Sequence, residues 1–301
     1  MARPLRVEYE GAIYHVMSRG DHSERIYRGD EDAELFIKTL GEACVKSDWQ
    51  VHAYCLMRNH FHMVLETPNG NLISGMKWFL GTYTGRYNRR HKVFGHLFSG
   101  RYKSLIVDGD EGDYLRTVCQ YVHLNPVRAK LLKPEEPLKN YRWSSFPEFL
   151  KPRRKRAAWL RVDRVLGDLG IRDSGWSGRK RFELAMEERR AADDPESYRR
   201  IERGWFLGGS KFGEILRERM AERVGANHFG DIRRESREAK AERIVREELK
   251  MMGWTKRDLE RTRKGDEEKV RIAHRVRTET TVTLGVPFHA KWGGCDRALS
   301  G

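Results

Sequence analysis

No run of this 301-residue chain approaches 18 consecutive apolar residues, and the opening MARPLRVEYEG holds no apolar signal region. Neither a membrane-spanning helix nor a secretory leader is therefore expected, and the chain reads as soluble and cytoplasmic. Cysteine is scarce as well: the four, at 44, 55, 119 and 295, form no CxxC pair. A disulfide framework and a structural zinc site of paired thiolates are not indicated, and a reducing compartment fits. No internal repeat or low-complexity tract is present.

The third deficit is of acids, because Thr67 to Val107 contains no Asp or Glu. That window holds Lys77, Arg86, Arg89, Arg90, Lys92, Arg101 and Lys103, interleaved with Trp78, Phe79, Tyr83, Tyr87, Phe94, Phe98 and Tyr102. Basic side chains track phosphates and exposed aromatics stack on unpaired bases, so the mixture suits a single-stranded nucleic acid. The other reading is that most of these aromatics are core. The whole chain carries a net charge of +15 with a pI near 9.7, which points to a polyanionic partner. The excess is uneven: residues 1–150 hold 21 Lys and Arg against 18 Asp and Glu, and residues 151–301 hold 38 against 26.

Periodicity supplies the elements. GAIYHVMSRG (11–20) alternates like a strand, and DEDAELFIKTLGEACVKSDW (30–49) has helical spacing with Asp30 as N-cap. QVHAYCLM (50–57) and HFHMVLET (60–67) are strands separated by Arg58 and Asn59, hence an antiparallel hairpin. A helix over about 71–91, a strand in 100–109 and a helix from Asp110 to about Leu124 complete the order β-α-β-β-α-β-α. This is an α+β, ferredoxin-like (split βαβ) pattern with an antiparallel sheet. PEEPLKNYRWSSF (134–146) closes the first domain, expected over residues 1–150. A basic, charged helical linker follows over 151–204, opened by KPRRKR, and then an all-α extension over 205–301. Residues 176–203 are charged enough to be a solvated helix or a flexible connector.

In YCLMRNHFHMVLE (54–66), His60 and His62 fall on one face of a strand. Imidazoles on the inner face of a half-buried strand must be hydrogen-bonded, exposed or ligating a metal, and the residues alone leave those readings open. A third donor can come from DYLRTVCQYVHLNP (113–126). At about 100° per residue, Leu115, Val118, Cys119 and Val122 share an apolar arc. Tyr121 and Asn125, one turn apart, emerge together at its margin. A phenol beside a metal can attack phosphorus, and a tyrosine ester conserves the bond for resealing.

The segments NHFHMVLE (59–66), LFSGRYKS (97–104), YLRTVCQYVHLNPVRAKL (114–131) and YRWSS (141–145) closely resemble, in order, the single-tyrosine HUH transposases, and most of all the REP-associated tyrosine transposases. The resemblance spans roughly residues 8–150. It implies a Mg²⁺ or Mn²⁺ site at His60, His62 and Asn125, and Tyr121 as the nucleophile. It implies metal-dependent cleavage and rejoining of single-stranded DNA beside a folded hairpin, through a 5′-phosphotyrosine. Tyr114 is the rival nucleophile, and His123 is read as structural or DNA-facing. Arg86, Arg89, Arg90, Lys92, Arg101, Tyr102, Lys103 and Lys264 are the candidate DNA contacts. The alternative function is a non-catalytic regulator that binds hairpin DNA or RNA, with the metal site vestigial. A nucleoid-associated monomer is expected, a dimer being the other possibility. WFLGGSKF (205–212) and residues 253–284 resemble a helix-turn-helix-like C-terminal extension, but Pro287 and the paired glycines that follow stand where a recognition helix belongs.

Overall fold

The computed structural model describes residues 7–173, 175–192, 198–224, 229–263 and 265–280. The alternating run after Gly11 is strand β1, Ala12–Arg19. Helix α1, Asp30–Ser47, buries Phe36, Leu40 and Ala43 along one stripe and ends where Asp48 turns left-handed at φ 56°. Its N-cap is Gly29, so Asp30 is the first helical residue and not the cap expected from the sequence. Strands β2, Gln50–Leu56, and β3, His60–Thr67, form the expected hairpin, with the Met57 N–H donating to the His60 carbonyl at 2.8 Å. Helix α2, Leu72–His91, strand β4, Lys103–Val107, and helix α3, Tyr114–Arg128, follow.

The strands lie in the order β2-β3-β1-β4, and every neighbouring pair is antiparallel. This is the split βαβ arrangement expected from the element order. Phe61 of β3 packs on Phe36 of α1 and Phe79 of α2, with ring centroids 5.0 and 6.2 Å apart, which puts both helices on one face. With a period of two, His60 and His62 must face the other way. Helix α3 packs against β2 and β3 and brings Tyr121 to His62 on that second face. Gly75 allows α2 to come close to Trp49, because a Cβ there would collide with the indole ring.

Helix α3 does not stop before Pro126. Proline lacks only its own N–H, the one that would reach the carbonyl of Val122, and the helix continues through it to Arg128. The exit is closed by N–H bonds from Ala129 to the Asn125 carbonyl and from Leu131 to the Pro126 carbonyl, at 2.9 and 2.8 Å.

Both sheet edges are covered by chain beyond residue 140. On the β2 side, Leu56 N–H donates to the Trp143 carbonyl at 2.8 Å, Tyr54 N–H to Ser145 Oγ at 2.8 Å, and Arg161 N–H to the Val51 carbonyl at 2.8 Å. On the β4 side a short strand β5, Phe206–Leu207, adds in parallel, so the five-stranded sheet is mixed. An unpaired edge is a template for aggregation, and these segments remove it. Short helices α4, Phe146–Phe149, and α5, Asp163–Gly167, lie between, followed by α6, Gly175–Ala191, and α7, Arg199–Arg203. Phe146, Phe149 and Phe182 of α6 are fully buried in the same core as the sheet. Helix α8, Ser210–Val224, contributes Leu216 to that core.

The chain divides into two compact units, Met1–Met220 and Ala221–Gly301. In the second, α9 (Phe229–Met252), α10 (Lys256–Arg261) and α11 (Glu267–Glu279) enclose a small core of Ile244, Val245, Leu249, Leu259, Ile272 and Val276. Thr255 and Asp258 cap α10 reciprocally. Arg271 and Arg275 of α11 are paired with Glu248, so these two basic side chains are already neutralised. Lys264 and the atypical end around Pro287 lie outside the described residues. Among the described residues, no helix is long and apolar enough to cross a membrane.

Candidate active site

The register of β1 against β3 sets Arg19 opposite His60 and Met17 opposite His62. Cross-strand partners share a face, so His15, Met17, Arg19, His60 and His62 all look toward the α3 side. His15 was not singled out in the sequence, yet its Nε2 lies 2.9 Å from His62 Nδ1 and the two rings stack 5.2 Å apart. His60 stands edge-on to His62 at 5.1 Å, and its Nδ1 is 2.8 Å from the Asn59 side-chain oxygen. Burial lowers the pKa of His15 and of His60 to about 4, and Arg19 adds to the effect on His60. His62 is held well below the usual range, again by burial first. These are neutral imidazoles with a lone pair to offer.

Tyr121 closes over this group. Its ring is edge-on to His15 at 5.7 Å and to His62 at 5.8 Å, and its residue surface is only 7% exposed. The ring of Tyr198, just before α7, lies 5.3 Å from that of Tyr121, and the Arg128 guanidinium lies 4.7 Å from the Tyr121 ring and 4.0 Å from that of Tyr198. Arg128 also donates to the Tyr121 carbonyl at 3.1 Å. Asn125, one turn on, is buried, and its side-chain nitrogen has no hydrogen-bond partner. A buried amide nitrogen left open is a donor set for an acceptor such as a phosphate oxygen or a water. Among the described residues, no cluster of three His, Cys, Asp or Glu could by itself hold a metal ion. A metal here needs the amide in its ligand set.

His123 faces away, as expected. Its Nε2 is 2.8 Å from Ser145 Oγ and its ring packs among Phe146, Phe149 and Phe182. Tyr114 is the first residue of α3, two turns before Tyr121.

The candidate DNA contacts fall into two groups. Arg86, Arg89, Arg90 and Lys92 belong to α2 and its C-cap, on the face of the sheet opposite the histidines. Arg86 holds Glu42 through both amines at 3.0 and 2.8 Å, and Arg90 pairs with Glu31 and Asp32. Arg89 and Lys92 are exposed. Arg101 and Lys103 are exposed on the histidine side, where with Arg19, Met17, His60 and Ser99 they line a cavity of about 240 Å³. Tyr102 between them is buried. In the acid-free window Phe79, Tyr83, Tyr87 and Phe98 are also core, whereas Phe94 is 99% exposed. Interleaving basic and aromatic residues therefore marked a helix packed on a sheet as much as a binding surface.

No curated protein matches the chain. A solved structure described as "Structure of the REP associates tyrosine transposase bound to a REP hairpin" is similar over 49% of this chain and 84% of that one, at 11% identity and a TM-score of 0.42. The family model described as "Transposase IS200 like" matches residues 8–125. That segment contains the four antiparallel strands, the three imidazoles, Tyr121 and Asn125, and it is what this chain shares with the IS200-like transposases.

Proposed function

We propose that the protein cleaves and rejoins single-stranded DNA beside hairpin-forming palindromic repeats, with Tyr121 as the nucleophile. The observation that carries the reading is the Tyr121 ring lying against the His15–His62 pair, inside the segment that matches the transposase family. In the reaction the Tyr121 Oη–P bond forms and the P–O3′ bond breaks. The 5′ phosphate stays on the protein as a phosphotyrosine, and the phenolic proton passes to the 3′ oxygen that leaves. Attack by that 3′-OH, or by another, reverses the step without loss of bond energy.

His60, His62 and Asn125 would hold a Mg²⁺ or Mn²⁺ ion. Two neutral imidazoles on one strand face fit such an ion, and Asn125 would add its side-chain oxygen, leaving the unpartnered amide nitrogen as a donor for a phosphate oxygen. When bound, it supplies positive charge to a nonbridging phosphate oxygen in the transition state. With the shared proton on His62 Nδ1 in the 2.9 Å contact to His15 Nε2, His62 Nε2 would keep its lone pair for the ion. His60 is fixed in the same manner by Asn59.

Tyr121→Phe is the test. It removes the attacking oxygen and keeps the ring that packs on the imidazoles. With a hairpin oligonucleotide taken from palindromes flanking the gene, the wild type should give a covalent adduct on a denaturing gel in Mn²⁺, and the variant should bind the hairpin but give none. Full adduct yield from Tyr121→Phe would sink the assignment, and its loss in Tyr114→Phe alone would move it there. Binding with no adduct from either protein would favour the hairpin-binding regulator with a vestigial metal site, a reading for which the near-complete burial of Tyr121 speaks.

A further inference from the structure

The cavity beside His60 is lined by Met17, Arg19, His60, Ser99, Arg101 and Lys103, and it has no acidic wall. Arg19 stands opposite His60 and Lys103 opposite Met17, so β3, β1 and β4 each present one polar side chain to it. The approach of Arg101 is fixed by backbone. Ser99 N–H donates to the Arg19 carbonyl at 2.9 Å, Asp21 N–H to the Leu97 carbonyl at 3.0 Å, and Gly100 turns left-handed at φ 59° between Ser99 and Arg101. The loop is thus tied to the end of β1 before any ligand arrives. Among the described residues, Arg19, Arg101 and Lys103 form no ion pair with a carboxylate, unlike Arg86 and Arg90. Three unneutralised cations gathered on one small cavity repel one another, and an anion relieves that repulsion.

Position narrows the anion. Tyr121 lies over His15 and His62, whereas the cavity begins at His60 and Arg19, one cross-strand pair further along. Two strand residues amount to about 6.6 Å, so the cavity adjoins the reacting centre, with His60 as the wall between them. A base would call for a flat apolar wall with directed polar groups. Two guanidiniums, an ammonium and a hydroxyl suit a phosphodiester.

We infer that this cavity is the seat of a single backbone phosphate, the one adjacent to the scissile linkage, held jointly by Arg19, Arg101 and Lys103. The inference rests on the DNA-cleaving reading above and adds Arg19, Ser99 and Met17 to the binding surface. Holding the neighbouring phosphate fixes the strand's register, so the linkage presented to Tyr121 is always the same one.

The test uses the full chain and a fluorescent 20-nucleotide oligodeoxythymidine, with binding measured at several salt concentrations. Each phosphate neutralised on a single strand contributes roughly 0.7 to the slope of log K against log salt. The triple variant Arg19→Ala, Arg101→Ala, Lys103→Ala should lose about 0.7 of slope, because the three share one phosphate. Arg19→Lys, which keeps the charge, should keep the slope, and melting curves should show all variants folded. A loss near three times that value would mean three separate contacts on an open surface, and no loss would mean no site; either overturns the inference. Adduct formation by the wild type on the flanking hairpin is read in parallel. An adduct with an unchanged slope removes the phosphate seat alone, and the expected slope change without an adduct removes the cleavage reading.

Discussion

At the residue scale the site depends on imidazoles kept neutral by burial, and on which nitrogen of each is left open. His15 does not need to touch DNA to matter, since its 2.9 Å contact with His62 Nδ1 orients that ring and ties the tautomers of the two imidazoles to one another. His15→Ala should weaken Mn²⁺ binding about 10–100-fold by calorimetric titration, and His15→Gln, which retains an acceptor, should recover part of the loss. Equal affinity in the alanine variant would show that His62 is oriented by packing alone. Two further imidazoles, His52 and His123, are fully buried. His52 is held below its ordinary pKa by burial, and His123 is lowered to about 3 for the same reason. The unfolded chain binds a proton on each as pH drops below about 6.5, but the folded chain takes it up on His123 only near pH 3 and on His52 at a pH below the ordinary value. Stability should therefore be flat above that value and fall toward pH 4, with each proton worth about 1.4 kcal/mol per pH unit. Melting temperatures from pH 8 to pH 4 check this, and His123→Asn should flatten the decline. His60, His62, Tyr121 and Asn125 were legible because strand and helix periods act within a few residues. His15 was not, because the β1–β3 register that brings it to His62 spans 47 residues and leaves no local mark.

At the element scale, the segment before α7 contributes more than its charge suggests. Residues 176–203 read as a solvated helix or flexible connector, and Tyr198 within them is 1% exposed against Tyr121 and Arg128. Local composition shows a charged stretch and cannot reveal that one aromatic within it finds a partner 77 residues away. The consequence concerns access: with Tyr121 only 7% exposed and the Tyr198 ring packed 5.3 Å from it, a phosphate approaching Tyr121 would have to disturb this packing. Tyr198→Ala should raise the initial rate of adduct formation several-fold while lowering the melting temperature, because a buried aromatic truncation costs roughly 3–5 kcal/mol. A rate unchanged or reduced, in a variant still folded, would show that Tyr198 supports the phenol and does not cover it. The five core aromatics of the acid-free window show the same limit from the other side. Spacing placed three of them on α2 and left Phe98 and Tyr102 in the chain leading into β4, while burial was decided by the sheet beneath.

At the scale of the whole molecule, the position of a viable truncation follows from what covers the sheet. Composition alone suggests a catalytic fragment ending near Leu150, with most long-range attraction to DNA in the more basic remainder. The packing moves that end. Leu160, Val162, Phe182 and Leu207 are buried in the core that contains the sheet, β5 satisfies the β4 edge, and Arg161 and Arg164 converge on Glu66 beside buried His52. A chain cut at 150 would lose all of these and expose an unpaired edge strand. The first compact unit runs instead to Met220. A fragment 1–220 should fold cooperatively, hold Mn²⁺ and form the Tyr121 adduct at high DNA concentration, whereas 1–150 should aggregate or remain partly unfolded. Residues 221–301 should then act on affinity and not on chemistry. Arg271 and Arg275 are already paired within that unit, so removing it should lower the salt slope of DNA binding by less than its count of basic residues would suggest. Salt titrations of the full chain and of 1–220, with adduct yields at saturating DNA, check both statements. An inactive but folded 1–220 would show that the second unit takes part in the reaction itself.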